Sequence, residues 1–193
     1  MTDPSDIAQR YRRRADAFQA TVAAVPIDRW SAPSPCAEWD TRGVLAHIVD
    51  MHAAMLGPLG RELSPAPSLV ADPLAAFISA RADVEALLAD PATSAMEIGS
   101  PMGPTTVERH VDEVASADMI VHRWDLARAA GLDDTIDPAE VEAMLPTAES
   151  MPEVMRTPGA FGPGIVVFGP LVEVPADASK QDRLLGLLGR DPR

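Results

Sequence analysis

Apolar residues recur at helical spacing along most of the chain, and the polar residues between them carry the signals that start and stop helices. Ile7, Tyr11, Ala15, Phe18 and Val22 lie on one side of a first predicted helix, capped by Ser5, running from about Asp6 to Val25 and ended by Pro26. The segment RWSAPSPCAEWD (29–40), with two prolines and two tryptophans, predicts an ordered, non-repetitive connection that packs its aromatics on the helices. Asp40 or Thr41 caps a second helix to about Leu56, and Asp72-Pro73 opens a third to about Ala89. Residues 92–104, ending in GSPMGP, read as extended or looped. Thr105 or Thr106 then opens a long fourth helix that closes at Gly131.

Beyond that point the pattern is less regular. Asp137-Pro138 predicts a shorter helix to about Ser150, and the runs IVVF and LVEV suggest a small hairpin or a lone strand. A final helix spans about 178–188. No repeat, low-complexity tract or linker divides the chain. The expected architecture is therefore mainly all-α: one domain over residues 1–193, with a four-helix bundle core at 5–131. A C-terminal extension at 132–193 would hold a small β element and the last helix.

Composition supports helix-on-helix packing. Of 193 residues 47% are hydrophobic but only 4% aromatic, so Ala, Leu, Val and nine methionines must fill the interior. The net charge of −13 repels a polyanion and excludes nucleic acid as a partner; the one basic cluster, Arg10 with Arg12, Arg13 and Arg14, reads as a solvated helix face. No apolar run reaches the roughly 18 residues of a membrane span, and MTDPSDIAQ lacks a signal segment, so the expected location is cytoplasmic. Cys36 is the only cysteine, which agrees with a reducing compartment.

The fourth helix breaks the apolar rule. At 100° per residue, Val111, Val114, Ala115, Val121, His122, Asp125 and Ala129 fall within about 60° of Asp118, so polar groups share the apolar stripe. Burying a carboxylate without a partner costs several kcal/mol, which calls for compensation. A metal ion supplies it: Asp118 and His122, four residues apart, can reach one cation. The second helix offers His47, on a face with Val44, Met51, Ala54 and Met55. If the two helices are neighbours, His47, Asp118 and His122 form a two-histidine, one-carboxylate set with open coordination positions, the arrangement of a catalytic divalent site. Asp125 would orient a ligand or pair with Arg128. The same residues also admit a core histidine hydrogen-bonded beside an interhelical ion pair. His52 lies about 140° from His47 and reads as packing or a surface bond, while His110 reads as exposed. Cys36 is a packed thiol or, near a helix N-terminus, a competing nucleophile. Arg42 and Arg123 pair either with a substrate carboxylate or with surface acids.

The stretch WSAPSPCAEWDTRGVLAHIVDMH (30–52), the run ADMIVHRWDLARAAG (117–131) and the terminal LLGLLGRDP together resemble an actinobacterial metal-binding family. That family is related to the N-terminal domain of mycothiol-dependent maleylpyruvate isomerase, within the DinB-like superfamily. The resemblance implies a DinB-like four-helix bundle and places the metal ligands on His47, Asp118 and His122. It differs in carrying Asp118 where the isomerase has a glutamate, one methylene longer, and a short tail where the isomerase has a long C-terminal domain. The implied cofactor is a divalent ion, zinc first, with nickel, manganese or iron as alternatives. The implied activity is a metal-dependent thiol S-transferase or isomerase acting on a small electrophile with a low-molecular-weight thiol, mycothiol or bacillithiol, as co-substrate. The alternative is a noncatalytic metal- or ligand-binding bundle, and exposed apolar helix faces leave a homodimer open.

Overall fold

The computed structural model describes residues 4–37, 39–100, 103–159 and 167–193. The helices start and stop where the capping chemistry places them. α1 (Pro4–Ala24) begins with a proline, so Ser5 lies inside its first turn rather than capping it. α2 (Thr41–Leu56) is capped by Asp40, whose carboxylate accepts from the Gly43 N–H, and α3 (Pro73–Ala89) by Asp72. Asp90 then caps a single further turn, α4 (Pro91–Ser94), where the sequence suggests only a stop.

The stretch expected to be extended or looped forms an antiparallel hairpin of β1 (Glu97–Ser100) and β2 (Gly103–Thr106), pairing Glu97 with Thr106 and Ser100 with Gly103. Among the described residues this is the small β element of the chain. Of the C-terminal runs, the fully described one is not a strand. LVEV (171–174) is irregular, and its Val172 N–H donates to Gly186 O of the last helix instead of to a partner strand. A Cβ on Gly186 would stand 2.6 Å from Val172 O, so the missing side chain is what admits this approach. The first two residues of IVVF lie outside the described residues.

The predicted fourth helix is interrupted. Thr106 caps α5 (Val107–Val111), a π-helical segment follows at Asp112–Ser116, and α6 (Ala117–Ala130) runs to Gly131, which ends it in the left-handed conformation at φ 72°. A π turn takes an extra residue into one helical turn and re-phases everything after it. Arg10 and Arg14 of α1 brace this segment. Arg10 makes a bidentate pair with Asp112, its Nε 2.8 Å from Oδ1, and Arg14 donates to Ser116 Oγ at 3.0 Å. Half of the supposed solvated basic face is therefore an interhelical clamp, while Arg12 and Arg13 are exposed.

Residues 1–134 form one compact unit. Within it α1 packs against α3 and α6, and α2 packs against the same two helices, closing a four-helix ring. Tyr11, Phe18, Leu45, Ile48, Phe77 and Met119 fill its interior. Residues 135–193 form a second unit, in which α7 (Pro138–Glu149) and α8 (Lys180–Leu187) pack together through Val141, Leu145, Leu184 and Leu185. No helix among the described residues is long and apolar enough to cross a membrane.

His52 is a core residue. Its Nδ1–H donates to Ile48 O at 2.6 Å, which leaves Nε2 to accept from the Tyr11 hydroxyl at 2.9 Å, and its ring lies edge-on to Phe77. Desolvation lowers its pKa from 6.5 to about 4, outweighing the Ile48 bond and the field of Asp118. The folded state thus keeps this imidazole neutral where the unfolded chain protonates it. Its contribution to stability is complete above about pH 6.5 and is lost as pH falls towards 4, about 3 kcal/mol across that window. Denaturant titrations through this range should show that loss in the wild type and a flatter profile in His52→Gln. Equal slopes would contradict the neutral, buried assignment. Tyr11→Phe removes the donor to Nε2 and should cost about 1–3 kcal/mol.

Candidate metal centre

The site lies in the seam between α2 and α6, and the connection before α2 roofs it. Residues 30–42 fold back on themselves: Ser34 N–H donates to Trp39 O, Trp39 N–H to Cys36 O, Thr41 N–H to Ala32 O and Arg42 N–H to Trp30 O. This loop sets Trp39 and Cys36 beside the helices. Gly43 leaves room for it, since a Cβ there would come 3.0 Å from the Trp39 Cβ. From the other side, the braced π segment delivers Asp118 in the first turn of α6.

Asp118 joins the two histidines. Its Oδ2 is 2.7 Å from His47 Nε2 and its Oδ1 is 3.3 Å from His122 Nε2. The two imidazoles meet edge-on, with centroids 4.6 Å apart. Trp39 stacks on His47 at 4.7 Å and tilts against His122 at 5.6 Å. The His122 side chain is only 6% exposed, whereas His47 and Asp118 are 26% and 27% exposed, so the trio is closed on the α6 side and open on the other. Contrary to the expectation that His47 sits mid-stripe, it lies at the margin of the seam. Val44, Leu45, Ile48, His52 and Met55 form the buried face of α2, and Ala54 is exposed.

On the far edge of the His122 ring, Nδ1 is 2.9 Å from Oδ2 of the fully buried Asp125. The distance suits a hydrogen bond, but the ring N–H does not aim at the oxygen, so the contact is an ion pair without a directed bond. Cys36 Sγ lies 3.3 Å from the same Oδ2. Arg128, the other suggested partner of Asp125, reaches Asp134 at 2.8 Å.

Burial alone would lower the His122 pKa, and it is the largest single influence. The charge of Asp118, with contacts to Asp118, Asp125 and Cys36, outweighs it and holds the pKa well above 6.5. Burial pushes the Asp118 carboxyl up, but the charge of His122 and the hydrogen bonds from both imidazoles prevail and hold it far below the usual carboxylate range. Metal-free, Asp118 and His122 form a mutually neutralising ion pair to which His47 adds a hydrogen bond.

It also fits a metal. Ligand atoms of His47, Asp118 and His122 all lie within 4.8 Å of one another, so small side-chain shifts bring them to the separation of about 3.4 Å between donors around a tetrahedral ion with bonds near 2.1 Å. The carboxylate of Asp125 at Nδ1 favours the tautomer that turns a lone pair of Nε2 towards the site. The remaining candidates serve elsewhere. Arg42 donates to Leu69 O and lies over the Trp30 ring at 5.2 Å, and Arg123, half-buried, feels Asp133 and Asp134. His110 is half-buried rather than exposed. The roofing role of Trp39 and the Cys36–Asp125 contact have no signal in the sequence, because both depend on the path of the loop.

A DinB-like helical bundle with a two-histidine, one-carboxylate cluster in its seam is the class that fold and site define. The chain belongs to the mycothiol maleylpyruvate isomerase N-terminal domain family, whose model matches residues 11–127 and so includes His47, Asp118 and His122. It is also similar to two proteins of Mycobacterium tuberculosis, from strains CDC 1551 / Oshkosh and ATCC 25618 / H37Rv, both named only as uncharacterized. Each is 27% identical over 188 residues, covering 97% of this chain and 100% of the relative. No solved structure matches.

In the metal-free protein His122 should remain protonated above pH 6.5, and in Asp118→Asn it should be neutral there, since burial persists while the anion is gone. NMR titration of the imidazole reports both. The stabilisation from His122 is complete below pH 6.5 and fades as pH rises through its raised pKa; that from Asp118 is complete above pH 3.8 and fades as pH falls. Asp118→Asn should cost the metal-free fold about 1–3 kcal/mol near neutrality, read from denaturant unfolding.

Proposed function

We propose that His47, Asp118 and His122 hold a divalent metal ion, zinc first and nickel, manganese or iron as alternatives, and that the protein is a thiol S-transferase or isomerase. It would join a low-molecular-weight thiol of the mycothiol type to a small electrophile. One observation carries this reading: two helices bring two imidazole nitrogens and a carboxylate to one half-open point, a donor set that leaves positions for an exchangeable ligand. Membership of a mycothiol-related family supports the choice of thiol.

A bound divalent ion supplies a positive charge that stabilises a thiolate at neutral pH. The residues supply the rest. Asp125, at the Nδ1 edge of His122, keeps a proton on that nitrogen and frees Nε2 to bind. Trp39 lies against both rings, fixes their planes and excludes water from that side. The exposed flanks of His47 and Asp118 leave the approach by which thiol and electrophile enter and the thiol proton departs to solvent. The thiolate sulfur would then bond to an electrophilic carbon. Displacing a leaving group gives a thioether. Adding to a conjugated double bond and later being eliminated returns the thiol and an isomerised product.

Purified without an affinity tag, the protein should carry bound metal by elemental analysis, and His47→Ala should lose most of it; unchanged content in the variant would refute the ligand assignment. Thiol consumption with a panel of electrophiles should be abolished by chelator and restored by metal. A metal-replete protein inert towards every thiol and electrophile offered would leave a noncatalytic metal-binding bundle in place of the enzyme.

A further inference from the structure

We propose a second metal position on the opposite edge of the His122 ring, formed by Cys36 Sγ, Asp125 Oδ2 and His122 Nδ1 and selective for thiophilic cations such as zinc, cadmium or cuprous ion. It goes beyond the first site and does not rest on it, because it uses the other nitrogen of the shared imidazole.

Three observations carry it. The ligand atoms of Cys36, Asp125 and His122 lie within 4.8 Å of one another. His122 Nδ1 is buried and has no directed hydrogen bond, although it lies 2.9 Å from Asp125 Oδ2: the ring aims a buried nitrogen into this cluster without completing a bond there. Such a group is costly to bury unsatisfied, and a cation that displaces the Nδ1 proton and accepts the freed lone pair removes that cost. The Cys36 sulfur, 3.3 Å from the same oxygen, adds the soft donor that sets this position apart from the nitrogen and oxygen set on the other edge.

The arrangement gives a sulfur, a nitrogen and an oxygen donor, from a loop and from two positions three residues apart on α6. Coordination expels the thiol proton and the Nδ1 proton to solvent, leaving thiolate and imidazole nitrogen as ligands. Asp125 is fully buried and Cys36 half-exposed, so the ion enters from the Cys36 side. The thiolate favours soft ions over magnesium or calcium.

Cadmium titration of the metal-free full-length chain tests this, since a thiolate bound to cadmium absorbs in the ultraviolet and Cys36 is the only cysteine. We expect a charge-transfer band that saturates at one ion per chain, is absent in Cys36→Ser, and persists in His47→Ala, where the first position is disabled. Asp125→Asn should weaken cadmium binding roughly 10-fold or more, and far-ultraviolet circular dichroism checks that each variant is folded. Absence of a band in the wild type overturns the proposal. So does its loss in folded His47→Ala, which would assign Cys36 to the first position, and so does equal affinity in Asp125→Asn or in the denatured chain, which would mark capture by a thiol alone. Loss of metal at His47 with the band retained would sustain the second position even if the first carries no chemistry.

Discussion

A carboxylate held between two imidazoles in the seam of two helices is the constraint to which much of the bundle answers. Asp118 is tolerable there because the charge of His122 and the hydrogen bond to His47 offset its desolvation. That requirement fixes the neighbour relation of α2 and α6, the depth of His122, and the phase at which α6 leaves the π segment. α6 is buried at most positions from Met119 to Ala130, His122 and Asp125 included. The histidine and aspartate that make it look polar are turned inward on each other.

Two buried histidines, His52 of α2 and His122 of α6, have opposite fates for reasons of environment alone. His52 faces Tyr11, Phe77 and a backbone carbonyl, so desolvation wins and the ring is neutral. His122 is equally deep but has carboxylates on both edges, so their charge outweighs the same burial. His47, shallower than either, shares with Asp118 the side of the cluster that solvent can reach. The gradient of exposure across the three gives the cluster a closed back and an open front, which is what ligand exchange at a metal requires.

The bundle holds this seam in place from a distance. Arg10 and Arg14 reach from α1 to the π segment just before Asp118, and the folded connection before α2 carries Trp39 onto the rings. A π turn is rare within helices, and here Arg10 and Arg14 brace it.

The chain's own order was enough to reveal every long helix, because proline, glycine and aspartate caps act through neighbouring residues and need no tertiary partner. It also put His122 on a buried face of its helix, since helical period is local, whereas His47 stands at the margin of its own. Tertiary structure alone decided the rest. The hairpin at 97–106 and the irregular course of LVEV depend on which partner each segment meets. The π turn depends on Arg10 and Arg14, a hundred residues distant in sequence. The loop that brings Cys36 to Asp125 and Trp39 to His47 is closed by non-repetitive hydrogen bonds that no period encodes. Local chemistry fixes what a segment becomes, and only packing fixes which side chains share one point in space.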